Sequence, residues 1–120
     1  MLGRAAEAGI ELLAITDHDT MAGYLAAAAL GAQYPNLGLV PGVEYSCRWS
    51  GTTIHVVGLG MDCEHPAMRE GLAMLGQARQ ERGIKIAQRL EAKGFPGALA
   101  GALAEAGESQ LGRPHFASWM

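Results

Sequence analysis

The stretch ELLAITDHDT, residues 11–20, changes from apolar to charged within two residues and sets Asp17, His18 and Asp19 side by side. The largely apolar run at 10–15 predicts a short strand buried on both faces of a parallel sheet. In open α/β sheets ligands bind beyond the carboxyl ends of the strands, so His18 is a candidate ligand. A neighbouring carboxylate can orient such an imidazole. The alternative is a turn whose aspartates only accept hydrogen bonds from backbone N–H groups.

Two further residues of the same chemical types lie in later strand-like runs. Glu44 interrupts the run LVPGVEYS, and His55 lies within TTIHVVGLGM. Ser50-Gly51 between these runs predicts a hairpin, which would bring Glu44 and His55 near each other. Imidazole nitrogen plus carboxylate oxygen is the donor set of hydrolases that use Zn²⁺, Mn²⁺ or Fe²⁺. An edge strand that faces water would explain both residues without a metal.

The other two histidines and a pair of arginines are also candidates for a role in the site. His65 lies in a polar turn before a predicted helix, and the sequence favours a structural role for it. His115 is the stronger candidate, because a glycine and a proline shape the backbone around Arg113 and His115. Arg79 and Arg82 are three residues apart and share one helix face. Such a pair usually faces solvent, but near a metal centre it could hold a phosphate.

These residues need elements to position them, and the pattern predicts an α/β order of helices and strands. The second β-rich run is expected to be interrupted at Pro41-Gly42, and Gly76 and Gly83 are expected to weaken the long helix. The expected elements are helices at 2–8, 21–34, 66–93 and 98–106, and strands at 10–15, 38–49 and 52–61.

Composition limits the classes of function. With 120 residues, 49% of them hydrophobic, the chain fits one small domain, and a net charge of −3 argues against duplex DNA binding through the whole surface. The longest gently apolar stretch, 21–30, is far shorter than a membrane span, and no membrane association is expected. Cys47 and Cys63 have no metal-binding spacing, and the amino terminus does not resemble a signal peptide. We expect a cytoplasmic protein.

Five motifs occur in order along the chain: ITDHDT, PGVEYS, TIHVVGLGMD, RQERGIKIAQRL and GRPHFA. Together they resemble the PHP (polymerase and histidinol phosphatase) superfamily of metal-dependent phosphoesterases. The resemblance covers nearly the whole chain. It is strongest to the small stand-alone bacterial branch, which includes nucleoside 3′,5′-bisphosphate phosphatases with 5′-to-3′ exoribonuclease activity on short RNA.

The resemblance implies a metal centre. It makes His18 a metal ligand, Glu44 a carboxylate that bridges two metals, and His55 a ligand of one of them. Asp17 and Asp19 become supporting residues of these ligands. The implied cofactor is a divalent ion, with Mn²⁺ favoured and Zn²⁺, Fe²⁺ or Mg²⁺ as alternatives.

The resemblance also implies a substrate and the residues that bind it. Arg79, Arg82 and Arg113 look like the contacts of the family with substrate phosphate. His115 lies at the same wall of the site and would bind substrate or metal, with substrate favoured. The expected partner is a nucleotide or a short oligonucleotide. The oligomeric state stays open.

The implied fold is part of a distorted (β/α)7 barrel that is incomplete at both ends. The leading HxH strand and the carboxyl-terminal half of the family pattern do not occur in the sequence, so residues 1–120 are expected to be a partial PHP domain with weak metal affinity and impaired activity. The alternatives are a non-catalytic binding module and a PHP exonuclease or histidinol-phosphatase-like enzyme.

Overall fold

A computed structural model of the chain describes residues 1–107 and 109–120. Helices and strands follow one another in the mixed α/β order that the sequence predicts. The elements are α1 Leu2–Glu7, β1 Leu12–Ile15, α2 Ala22–Ala29, a short 3₁₀ helix Gly31–Gln33, β2 Gly38–Trp49, β3 Thr52–Leu59, α3 Pro66–Glu91, α4 Ala98–Ala106 and α5 Arg113–Trp119.

The chain forms two compact units, Met1–Leu72 and Ala73–Met120. Helix α3 begins in the first unit and ends in the second. The prediction that residues 1–120 make up one partial domain stays a prediction. No helix in the part of the chain that the structure describes is long and apolar enough to cross a membrane.

The first unit is built on a three-stranded sheet in the order β1-β2-β3. Strand β1 pairs in parallel with the first residues of β2, from Gly38 to Pro41. From Gly42 to Trp49 β2 pairs antiparallel with β3. The central strand therefore changes its partner at Pro41-Gly42.

The predicted interruption at Pro41-Gly42 is wrong, because β2 runs through both residues without a break. Pro41 has no N–H to contribute, but its carbonyl accepts a hydrogen bond from the Gly60 N–H at 2.8 Å. A Cβ atom on Gly42 would lie 2.9 Å from the carbonyl oxygen of Ile15, so only glycine lets the end of β1 come this close. The two residues mark the change of partner, not the end of a strand.

Strand β1 is less buried than predicted. It begins at Leu12, which is 67% exposed, and its other residues are half-buried. Leu13 and Ile15 pack against a cluster formed by α1, α2 and the residue before β2, whose buried members are Leu2, Ala5, Ala27 and Leu37. Because that cluster covers one face of β1 and pairing with β2 covers one edge, burial on both faces does not occur.

The hairpin between β2 and β3 is confirmed. Ser50 and Gly51 have φ values of 47° and 81°, as a tight two-residue turn requires. The turn fixes the register in which Trp49 pairs with Thr52 and Ser46 pairs with His55. All but one of the β3 residues are exposed, including Val56 and Val57 on opposite faces.

The second unit packs the end of α3 with α4 and α5 around Ala87, Ala98, Ala102, Ala106, Leu111 and Phe116. Gly83 of α3 is buried, and a Cβ atom there would collide with the side chain of Leu111. Gly76 has room for a Cβ, whose nearest neighbour would lie 3.7 Å away. Helix α5, which is not among the predicted elements, carries Pro114 in its first turn, where no N–H is needed.

Candidate metal centre

The three predicted metal ligands, His18, Glu44 and His55, converge in the first unit. Each offers one ligand atom, and these atoms lie within 4.8 Å of one another. The Oε2 atom of Glu44 is 3.8 Å from His18 Nε2, and its Oε1 atom is 3.4 Å from His55 Nδ1. The two imidazole rings meet edge to face, with centroids 4.9 Å apart. Each carboxylate oxygen of Glu44 therefore faces a different imidazole.

The strand register accounts for the position of His55. Glu44 pairs with Val57, and His55 pairs with Ser46. Because side chains alternate between the two faces of a sheet, Glu44, Ser46 and His55 share one face. Glu44 and His55 are diagonal neighbours on it, within reach of long side chains.

The loop after β1 brings His18 to the same place. Residue 18 forms an isolated parallel bridge with Glu44. Two backbone hydrogen bonds make this bridge: the Glu44 N–H donates to the Asp17 carbonyl at 3.1 Å, and the Asp19 N–H donates to the Glu44 carbonyl at 3.0 Å. The loop thus continues along the edge of β2 that β1 occupies, and the ligand comes from the carboxyl end of a strand, as predicted.

The donor set and its spacing fit a divalent ion. Bonds of about 2.1 Å to an ion place neighbouring ligand atoms roughly 3.0–3.4 Å apart, so small side-chain rotations would let either Glu44–His pair share an ion. Side-chain exposures of 49% for His18, 45% for His55 and 27% for Glu44 leave the centre open to solvent. A bound ion could therefore keep open positions for water or substrate.

The structure places the two predicted supporting residues differently. Asp19 is 1% exposed, and its Oδ1 atom accepts a hydrogen bond from the Ser46 N–H at 2.7 Å. The exposed Asp17 has its carboxylate against Gly23 of α2, where it would collide with any Cβ. The Asp19 contact is with backbone, as in the turn alternative, and it fixes the strand that carries Glu44.

His65 lies outside this cluster. Its Nδ1 atom accepts a hydrogen bond from the Ala67 N–H at 3.3 Å, at the start of α3. This agrees with the structural role that the sequence favours.

The predicted substrate residues lie in the second unit. On α3, Arg79 is half-buried and Arg82 is exposed, while Arg113 is an exposed first residue of α5. The Nη1 atom of Arg79 lies 3.6 Å from the position that a Cβ would take on Gly112. A cavity of about 210 Å³ here is lined by Gly76, Arg79, Gln80, Leu103, Ser109, Gln110 and Leu111.

His115 uses both ring nitrogens near this cavity. Its Nδ1 atom accepts a hydrogen bond from the Gly112 N–H at 3.0 Å, so a neutral ring carries its proton on Nε2. Nε2 lies 3.4 Å from Ser109 Oγ, which donates to the Ala106 carbonyl at 2.6 Å. The ring thereby caps the start of α5 through Nδ1, and its Nε2 atom lies beside the hydroxyl of Ser109.

Ser46 also belongs to the centre, although the sequence does not predict it. Its backbone N–H binds Asp19, and it pairs with His55. No residue-type signal points to it, because the contribution comes from its backbone. Only the residue-by-residue pairing of the two predicted strands would place Ser46 opposite His55.

Comparison with known proteins shows that the chain is similar to bacterial enzymes. It is 46% identical to the 5′-3′ exoribonuclease Rnm of Salmonella typhimurium over 121 residues, and 39% identical to the 3′,5′-nucleoside bisphosphate phosphatase of Chromobacterium violaceum over 118 residues. The alignments cover 100% and 98% of this chain and 41% of each relative. The chain thus spans about two fifths of the length of these curated relatives.

Two solved structures have the same fold. An amidohydrolase from Chromobacterium violaceum, with bound sulfate and no metal, superposes with a TM-score of 0.86 at 38% identity. A protein from Bifidobacterium adolescentis, named as a metal-dependent phosphoesterase, superposes with a TM-score of 0.83 at 28% identity. Each match covers 98% of this chain and 42% of the other.

No protein-family model matches the chain. The resemblance predicted from the five motifs is nevertheless confirmed by the curated relatives and by the solved structures. Across about two fifths of their length, the chain is a homologue of bacterial 5′-3′ exoribonucleases and of a 3′,5′-nucleoside bisphosphate phosphatase.

Proposed function

We propose that this chain carries part of the active site of a metal-dependent phosphoesterase that hydrolyses phosphate esters of nucleotides. The observation that carries the proposal is the convergence of His18, Glu44 and His55 within 4.8 Å. The names of the homologous exoribonuclease and bisphosphate phosphatase support the reaction class.

The proposed cofactor is Mn²⁺, with Zn²⁺, Fe²⁺ or Mg²⁺ as alternatives. Imidazole nitrogen and carboxylate oxygen are ligands that suit these ions, whereas soft ions such as Cu⁺ favour thiolate ligands. Glu44 is proposed to bridge two ions, because each of its oxygens faces a different histidine. A divalent ion held by His18, Glu44 and His55 would supply Lewis acidity and would lower the pKa of water at the site.

The proposed substrates are nucleoside 3′,5′-bisphosphates or the 5′ ends of short RNA. Arg79, Arg82 and Arg113 offer guanidinium groups that can bind phosphate oxygens in pairs. The cavity beside Arg79 supports a phosphate contact there, and His115 is proposed to donate its Nε2–H to substrate. These roles orient the ester and neutralise charge.

We further propose that residues 1–120 form part of a distorted (β/α)7 PHP barrel, so that the chain on its own has weak metal affinity and little turnover. The exposed apolar residues on both faces of β3 support this, since a barrel strand is covered on its inner and outer sides. The free thiols of Cys47 and Cys63 are compatible with the cytoplasmic location that we also propose.

Binding of adenosine 3′,5′-bisphosphate to the chain, with and without Mn²⁺, tests the function. We expect Mn²⁺ to strengthen binding, Arg82→Gln to weaken it several-fold and Arg89→Gln, a matched change on the exposed surface of α3, to leave it unchanged. Equal binding with and without Mn²⁺ in all three proteins would contradict the proposal.

Phosphate release in the same mixtures tests the expected incompleteness. Little or no release is the expected result for the chain alone. Rapid Mn²⁺-dependent release by the 120-residue chain would support the phosphoesterase function and overturn the proposal that the site is incomplete.

A further inference from the structure

We infer that Asp19 is a positioning residue that holds His18, Glu44 and His55 in place through the backbone of β2. The inference rests on the proposed metal centre. It assigns to Asp19 a role that does not depend on contact between its carboxylate and any ligand side chain.

Three contacts connect Asp19 to the three ligands. It follows His18 directly in the chain. Its own N–H donates to the Glu44 carbonyl at 3.0 Å. Its Oδ1 atom accepts from the N–H of Ser46 at 2.7 Å, and Ser46 pairs with His55 across the hairpin. Asp19 is thus adjacent to His18 in the chain, hydrogen-bonded to the backbone of Glu44, and connected to His55 through the backbone of Ser46.

The geometry of β2 explains why a carboxylate is needed. The Glu44 N–H points towards the loop and bonds to the Asp17 carbonyl, and the Ser46 N–H points to the same side of the strand. Asp19 itself has a left-handed backbone conformation, with a φ of 58°. At the next ladder position of β2 the acceptor for the Ser46 N–H is the carboxylate of Asp19, so the side chain extends the pairing along β2 by one position.

The burial of Asp19 makes this contact specific. Asp19 is the only polar or charged residue that is buried within residues 1–107 and 109–120, with an exposure of 1%. A carboxylate so far from water must be hydrogen-bonded, and a charged acceptor makes a shorter and stronger bond than a neutral one. The 2.7 Å distance to Ser46 agrees with such a bond.

Two substitutions separate the side chain from the backbone conformation. Asp19→Gly keeps the left-handed conformation without strain and removes the acceptor. Asp19→Asn also tolerates this conformation and keeps an oxygen at the Oδ1 position. Leu37→Ala, in the apolar cluster of the first unit, provides a variant of reduced stability that leaves the Asp19 contacts intact.

The first measurement needs no metal. Amide hydrogen exchange is measured by NMR under conditions in which Asp19→Gly and Leu37→Ala have the same free energy of unfolding. The Ser46 N–H should then exchange more than about tenfold faster in Asp19→Gly than in Leu37→Ala. In Asp19→Asn its exchange rate should be close to that of wild type. The ring resonances of His18 and His55 should shift in Asp19→Gly alone. Unchanged exchange at Ser46 and unchanged ring resonances in Asp19→Gly would overturn the inference.

The second measurement is Zn²⁺ affinity by calorimetry. We expect Asp19→Gly to bind roughly 10–100-fold more weakly than wild type and Asp19→Asn to recover most of the affinity. Equal losses in Asp19→Gly and Leu37→Ala would show that Asp19 only adds stability and would overturn the inference. If wild type binds no Zn²⁺ while the exchange result holds, the proposed metal centre fails and the positioning contact stands.

Discussion

His55 Nδ1 lies 3.4 Å from Glu44 Oε1, although the two residues are diagonal and not directly opposite across the β2–β3 hairpin. Directly opposite Glu44 is Val57, and directly opposite His55 is Ser46. A slip of one residue in this register would move His55 to the other face of the sheet. The candidate metal centre therefore depends on the two-residue turn at Ser50-Gly51 as much as on the ligands themselves.

The two glycines of α3 should respond oppositely to alanine. Gly83→Ala places a methyl group against Leu111 in the second unit and should lower the free energy of unfolding by about 1–3 kcal/mol. Gly76→Ala meets no close atom and should raise it by about 0.5–1 kcal/mol, because alanine favours the helix. Urea denaturation of both variants measures the difference. Equal effects of the two substitutions would contradict the packing described for Gly83.

His115 should have separable structural and substrate-binding roles. His115→Ala removes the acceptor for the Gly112 N–H and should cost about 1 kcal/mol of stability, as loss of a helix cap does. His115→Gln keeps an acceptor at the third helical position and should retain most of that stability. Thermal unfolding and binding of adenosine 3′,5′-bisphosphate should be measured on both. Full nucleotide affinity in a stable His115→Gln protein would contradict the substrate role.

Tyr45 should make stability depend on pH in the alkaline range. Its hydroxyl donates to Met68 Sδ at 2.8 Å and also lies 3.2 Å from Met61 Sδ. Burial raises the pKa of this phenol above 10.0, and the charge of Cys47 adds to the increase. Since the unfolded chain loses the proton first, this contribution to stability is complete below pH 10.0 and is lost as the pH rises through the higher folded-state pKa.

Urea denaturation of wild type and Tyr45→Phe from pH 8 to 11 measures this effect. We expect the stability of wild type to fall relative to the variant above about pH 10. Parallel curves for the two proteins over the whole range would show that Tyr45 does not contribute to the alkaline loss.

Much of the fold could be predicted from local patterns. The strand before ITDHDT, the hairpin at Ser50-Gly51 and the long helix from Pro66 all follow from composition and turn residues, and all three occur in the structure. Helix α5 does not follow from local patterns, because glycine and proline are typical of turns, whereas Gly112 and Pro114 mark the start of this helix.

Non-local relationships could not be predicted from the sequence. The partner change at Pro41-Gly42 depends on where β1 ends against β2, which local propensity does not specify. The Asp19–Ser46 contact joins residues 27 positions apart through one backbone N–H. Residue types and the predicted hairpin point to the three candidate ligands and to the closeness of Glu44 and His55, but the convergence of all three depends on the sheet register and on the bridge between residues 18 and 44.

The central claim is that His18, Glu44 and His55 form one divalent-metal centre, and Mn²⁺ titration by calorimetry tests it most directly. His18→Ala, Glu44→Gln and His55→Ala remove one ligand each, and His65→Ala removes a histidine from outside the cluster as a matched control. We predict that wild type and His65→Ala bind Mn²⁺ alike and that each ligand variant binds at least about tenfold more weakly. Equal Mn²⁺ binding by all five proteins, or none by wild type, would contradict the claim.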